Sequence, residues 1–296
     1  MKFQKSVCLC VALLVSGSIA WPSNSLFGSS GDSPATAAYI YWTTRTGSVG
    51  RATINGTGVN DSFIKSTTGG KMAGAGLAVN HQYLYWTSAN GGTATTILRA
   101  NLNGSGVNKN FITGAHNPCG VTVNSSYIYW AGDVGSAIGR AKLDGSDVNH
   151  NFIETGTGVC GVVVTSSHIY WANYQTNWIG RANLDGSDVN QDFIPTIGAA
   201  AVAIEGAYIY WPTNDGTAIG RAKLDGSDVN QDFITGLKGQ VAFLAVDSQY
   251  IYWADWGNRG TGTTIGRAKL NGSGVNQSFI KGTLGGFGIA VTGGSP

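Results

Sequence analysis

The stretch YIYWAGDVGSAIGRAKLDGSDVNHNFI, residues 127–153, decides the fold. Its YIYW and AIGRAK segments are short, rich in β-branched and aromatic residues, and followed by turn-forming residues, which reads as strand. Asp144-Gly145 marks a tight turn, because such turns need backbone angles that Asp and Gly accept most easily. NFI is then one more short strand. The same pattern recurs along the chain. YW pairs end at Trp42, Trp86, Trp130, Trp171, Trp211 and Trp253, at spacings of 44, 44, 41, 40 and 42 residues. Each is followed by a motif arginine: Arg51, Arg99, Arg140, Arg181, Arg221 and Arg267. A short apolar segment (GLAVN, GVTVN, GVVVT, VAIE, LAVD) precedes each of the last five YW pairs.

Four strand signals per period of about 42 residues match the blade of a propeller. The chain enters at the second strand of its first repeat, Tyr39 to Trp42. It ends on GFGIAV, Gly286 to Val291, a first strand with no second strand after it. The expected fold is therefore all-β: a six-bladed β-propeller of four-stranded blades over residues 39–292, closed by the C-terminal strand completing blade 1. Closure removes the open ends whose unpaired edges invite aggregation.

Composition agrees with a folded, turn-rich chain: 45 Gly among 296 residues, 10% aromatic and only 11% charged. Lys2 and Lys5 precede an apolar stretch from Val7 to Ala20 that ends in a small-x-small site, the pattern of a signal peptide over 1–20. Residues 21–38 read as a flexible leader and 293–296 as a tail. The expectation is a secreted or periplasmic protein. The apolar stretch is too short to span a bilayer, so no membrane insertion is expected. Without Lys2 and Lys5 the charges balance, 16 Lys and Arg against 16 Asp and Glu. No basic stripe remains to bind a phosphate backbone, which argues against nucleic acid.

YW followed by I-x-R-A-x-L-D-G-S resembles the YWTD repeat of low-density-lipoprotein-receptor class B propellers and of bacterial six-bladed relatives. The resemblance covers all six repeats. The family's Asp after YW-Thr is here Thr44, Ser88, Gly132, Asn173, Thr213 and Asp255, so only the last repeat keeps the acid. Related six-bladed propellers can hold a channel metal, and the residues ending the first strands include Asn80, Asn124, Glu205 and Asp247. Those four are the alternative metal set, with Ca²⁺ as the alternative cofactor, although Asn and Asp are favoured there for turn chemistry alone. The leading expectation is no cofactor. The opposite ends of the same strands hold Ala75, Cys119, Cys160, Ala200, Ala242 and Phe287, a small, apolar lining. DGSDVNQD, residues 225–232, spaces its acids poorly for a calcium loop and reads as a hairpin turn.

Cys119 and Cys160 occupy the same place in adjacent blades. Two buried thiols and a disulfide both fit; the bridge is expected if the Cα atoms come within about 7 Å. The motif arginines, present in every blade, are expected to stack on aromatic rings. Residues outside the repeat are the candidates for function. On the face that carries the second-to-third and fourth-to-first loops these are Arg45, His116, Asp133, Tyr174, Trp178, Asp215, Trp256 and Arg259, with variable loops on a rigid scaffold being the usual carriers of binding. No nucleophile has a base at a recognisable spacing. The functional expectation is a non-catalytic, monomeric binding module for a protein or carbohydrate partner. The alternative is a metal-dependent hydrolase or lyase acting at the central channel mouth.

Overall fold

The computed structural model describes residues 38–65, 73–88, 95–132, 136–156, 158–257 and 262–292. The expected signal peptide, almost all of the leader, and the tail lie outside the described residues. All regular elements described are strands, and they form six four-stranded antiparallel sheets. Blade 1 runs from an inner strand, Gly286–Val291, through Tyr39–Thr44 and Val49–Thr53 to an outer strand, Asn60–Ile64. Blade 2 is Ala73–Val79, Tyr83–Ser88, Thr96–Asn101 and Asn108–Thr113. Blade 3 is Pro118–Val123, Tyr127–Gly132, Ala137–Lys142 and Asn149–Glu154. Blade 4 is Val159–Val164, His168–Asn173, Trp178–Asn183 and Asn190–Pro195. Blade 5 is Ala203–Glu205, Tyr208–Pro212, Ile219–Lys223 and Asn230–Ile234. Blade 6 is Val241–Val246, Tyr250–Asp255, Thr264–Lys269 and Asn276–Lys281. The inner strands contact one another in sequence around the ring, and the last closes onto the first blade.

Closure is a ladder. Trp42 pairs with Ile289, Tyr41 with Ala290 and Ile40 with Val291. The ring is thus completed by residues far apart in sequence, as the unmatched ends of the repeat predict.

The repeat residues explain one another through the pleat. In blade 3 Tyr129 lies opposite Arg140 and Trp130 opposite Gly139. A Cβ on Gly139 would fall 2.1 Å from Trp130 Cε2, so the indole covers the glycine backbone. Blade 2 has Leu98 in this place, opposite Trp86. The Trp86 Nε1–H is there buried without a partner among the described residues. Each motif arginine stacks as expected. Arg51 lies 4.3 Å from the Tyr39 ring and 3.9 Å from the Phe63 ring. Blade 4 replaces the tyrosine with His168, and Arg181 stacks on Phe193 at 4.0 Å. Such a slot holds the cation by cation–π attraction and keeps the aliphatic stem out of water.

A second device links neighbouring blades. The second residue of the outer strand is Gln in blades 4 to 6. Gln191, Gln231 and Gln277 donate through Nε2 to the carbonyls of Glu154, Pro195 and Gly236, each at the end of the preceding blade. Blade 3 has His150 at this place. It stands edge-on to Trp130 with centroids 5.7 Å apart, and its Nδ1 is buried without a partner among the described residues. Burial, and then the nearby His116, push the His150 pKa below its usual 6.5. The unfolded state therefore takes up the proton first. The contribution of the neutral ring is present in full above pH 6.5 and is lost as pH falls toward the folded-state pKa. His150→Gln, which copies blades 4 to 6, is expected to raise the melting temperature at mildly acidic pH more than at neutral pH. An equal shift at both would refute this account.

Candidate binding face

The first-to-second and third-to-fourth connections share one face, the turn face. The second-to-third and fourth-to-first connections share the other, the loop face. Between them the inner strands nearly fill the axis. The axial cavity is about 50 Å³, room for a few waters. Leu77, Val121, Val162, Val202, Phe243, Leu244 and Ile289 line it, with Gly76, Gly120 and Gly161 between. The glycines permit very close packing. A Cβ on Gly76 would lie 2.6 Å from the Cys119 oxygen, and one on Gly161 2.6 Å from Ala201 Cα.

Cys119 and Cys160 sit at the loop-face end of this bundle, joined as a disulfide with Cα atoms 4.9 Å apart. The bridge ties the inner strands of blades 3 and 4 across a sequence separation of 41 residues. Losing such a link costs about 2–5 kcal/mol. The expected outcome is an unreduced mass two hydrogen atoms below that of the dithiol, and a melting temperature that falls under reducing conditions. Two alkylatable thiols in the native protein would contradict it.

At the turn-face end, Asn80, Asn124 and Asp247 each use Oδ1 to accept two backbone N–H groups. The donors are Gln82 and Tyr83, Ser126 and Tyr127, and Gln249 and Tyr250. Asp247 Oδ2 also accepts from the Tyr252 hydroxyl at 2.9 Å. Burial, and then the Asp247 charge, hold that phenol well above its ordinary pKa. Three of the four alternative metal ligands are thus engaged as turn acceptors. The fourth, Glu205, ends the short inner strand of blade 5.

The loop face carries the unrepeated residues. Arg45 is exposed, and its backbone N–H is shared between the carbonyls of Leu284 and Gly285. His116 is exposed, with its ring centroid 6.0 Å from that of His150. Asp215 accepts from the Thr213 hydroxyl and from the Thr217 N–H and hydroxyl, and these bonds, Thr213 foremost, hold its pKa below the usual value. Asp133 and Arg259 lie outside the described residues. Trp256 is half-buried: its ring stacks on Phe287 at 4.8 Å and its backbone N–H donates to Gln240. Other first strands carry Ala or Cys at the place of Phe287, and this lone large ring gives Trp256 a surface to lie on.

The blade 4 loop is held by a set of its own hydrogen bonds. Asn173 is 3% exposed, and its Oδ1 accepts from the N–H groups of Gln175 and Thr176. Asn177, in the left-handed region at φ 64°, donates its N–H to the Asn173 carbonyl, while its own carbonyl accepts from Thr196. Tyr174 N–H bonds to the Gly158 oxygen at 3.0 Å. Tyr174 and Trp178, both half-buried, bracket this fixed turn. The structure brings these two together and leaves the other candidates on separate blades.

Asn173 occupies the place of the family's aspartate, and the other blades show what that place does. Asp255 Oδ1 accepts from the Gly257 N–H, and Thr44 and Thr213 accept through Oγ1 from the N–H groups of Ser48 and Ala218. An oxygen that caps its own loop is therefore kept in blades 1, 4, 5 and 6, although only blade 6 keeps the acid. The alternation of Asp, Asn and Thr, all short oxygen-bearing side chains, is the sequence signal for this role.

No protein-family model and no curated protein matches the chain. Solved structures do. The chain superposes on a chain of the nidogen/laminin complex with a TM-score of 0.69 at 18% identity, over 86% of this chain and 98% of that one. The fold is a six-bladed β-propeller. This propeller also superposes on a gluconolactonase from Xanthomonas campestris, with a TM-score of 0.57 at 16% identity, over 71% of this chain and 76% of that one. A binding protein and an enzyme share the architecture, so function must be argued from side chains.

Proposed function

We propose that the propeller is an exported binding module that recognises a protein or carbohydrate partner through its loop face. The observation that carries this reading is the blade 4 turn. Asn173 holds it from beneath; Trp178 is an aromatic that no other blade has at its place, and Tyr174 stands where blade 6 alone also carries an aromatic, Trp256. Rigid aromatic anchors lose little entropy on binding, which makes them effective recognition residues. The appearance of the fold in a nidogen/laminin complex agrees with a protein partner. The signal-like residues 1–20 supply the reason for export.

The hydrolase alternative meets a different environment at the axis, where the lining is apolar and the nearby Asn and Asp oxygens serve turns. Probing the protein and its Tyr174→Ala/Trp178→Ala variant on a glycan array and a panel of extracellular proteins separates the possibilities. Binding that falls at least tenfold in the variant, about 1.4 kcal/mol, supports the loop face. Undiminished binding overturns it. A melting temperature that rises with Ca²⁺ and falls with EDTA would move attention to the axis.

A further inference from the structure

A near-neutral total conceals two oppositely charged halves. Residues 118–234, which build blades 3 to 5, hold twelve Asp and Glu against five Lys and Arg, a net charge of −7. Residues 39–117 and 235–292, which build blades 6, 1 and 2, hold three acids against eleven cations, a net charge of +8. Because the blades follow one another around the ring, this division in sequence is a division across its diameter.

The turns show that the fold does not require it. Blades 3 to 5 use D-G-S-D, and blades 6, 1 and 2 use N-G-[ST]-G. Both make the same bond: Asp185 Oδ1 accepts the Ser187 N–H at 2.9 Å, and Asn103 Oδ1 accepts the Ser105 N–H at 3.0 Å. The second acids, Asp147, Asp188 and Asp228, stand at φ 52–54°, where Gly58, Gly106 and Gly274 serve the other blades without a side chain. Beside every turn is an exposed valine: Val59, Val107, Val148, Val189, Val229 and Val275, each 37–44% accessible. On the opposite face, Arg45, Lys65, Lys238 and Lys281 are exposed over blade 1, blade 6 and the connection between blades 5 and 6, and Leu284, 37% accessible, lies beside Arg45.

We infer that the acidic, valine-bearing turn face of blades 3 to 5 docks on the basic loop face of blades 6 and 1 of a second copy of this chain. The two surfaces lie on opposite faces and opposite halves of one ring. Copies in the same orientation, each displaced sideways by half a ring, therefore bring them together. The contact is heterologous, so it propagates into a staggered stack rather than closing on a dimer. Only half of each loop face is covered. The blade 4 turn stays open, which keeps this contact compatible with the binding reading and independent of it.

The test is sedimentation velocity on the purified protein over a range of concentrations. Ionic strength is taken from about 0.01 M to about 1 M, where the screening length falls from about 30 Å to about 3 Å. Self-association that strengthens with concentration and disappears at high salt is expected. The triple substitution Asp144→Asn, Asp185→Asn, Asp225→Asn copies the turns of the other half, and should weaken association at least about tenfold with little change in melting temperature. Opposite-charge variants make the stricter test. Asp185→Lys/Asp225→Lys and Lys65→Glu/Lys281→Glu should each remain monomeric alone and, when mixed, co-assemble in one-to-one proportion into alternating stacks. A protein that stays monomeric at low salt, or whose association survives both high salt and the Asn substitutions, overturns the proposal.

Discussion

A chain ending at Gly285 is expected to lose its cooperative unfolding transition. The missing strand, Gly286–Val291, contributes Ile289, Ala290 and Val291, which are 5%, 6% and 9% exposed. Ile289 and Val291 belong to the cluster between blades 6 and 1, and Ala290 to the cluster between blades 1 and 2. One truncation therefore opens two interfaces and leaves Tyr39–Thr44 as a bare edge. Truncating a single buried Ile to Ala costs about 2–5 kcal/mol. Removing the whole strand also removes its ladder, against a total stability of about 5–15 kcal/mol for an ordinary domain. Near-ultraviolet circular dichroism on heating is the measurement. A sharp transition within a few degrees of the full-length protein would show that the ring does not depend on closure.

Gly120→Ala is expected to be the most damaging single-methyl addition among the inner strands. The new Cβ would lie 2.3 Å from the carbonyl oxygen of Cys160, an atom of the main chain rather than a movable side-chain tip. Cys160 is in turn tied through the disulfide to Cys119, the residue before Gly120. Neither strand can yield alone. Overpacking of this kind costs about 1–3 kcal/mol and more where relief is blocked. At about 2–4 °C per kcal/mol, a fall of about 2–12 °C or more in melting temperature follows. Gly58→Asp is the control: it also loads a glycine, but blades 3 to 5 carry Asp at that place already. Equal losses in the two variants would refute the steric argument.

The architecture was legible because each blade states it again. YW spacing, the Asp-Gly or Asn-Gly turns and the two unmatched ends are local signals, and six copies agree. Arginine stacking was legible for the same reason, since a residue required in every blade has a role within the blade. Features that occur once were harder to read. Trp256 reads as a free loop aromatic until Phe287 is seen beneath it, and that pairing joins the last blade to the strand that closes the first. The oxygen kept after the YW pairs is spread over three residue types, so an identity-based reading of the aspartate misses it. The charge division was hidden by summation over the whole chain; counting charge repeat by repeat would have exposed it.

The place where the two ends of the ring meet has a further meaning. Thr292 N–H bonds to the Tyr39 carbonyl, and Tyr39 N–H bonds back to Thr292 Oγ1. Thr165 and His168 make the same pair of bonds inside blade 4, with Ser166 and Ser167 spanning the gap. The ring is thus an unbroken cycle of six hairpins with one turn left unconnected. Two serines between Thr292 and Tyr39 would complete that turn, and the backbone could then be opened at any of the other five. Which blade comes first is a matter of gene order, to which the folded ring is indifferent.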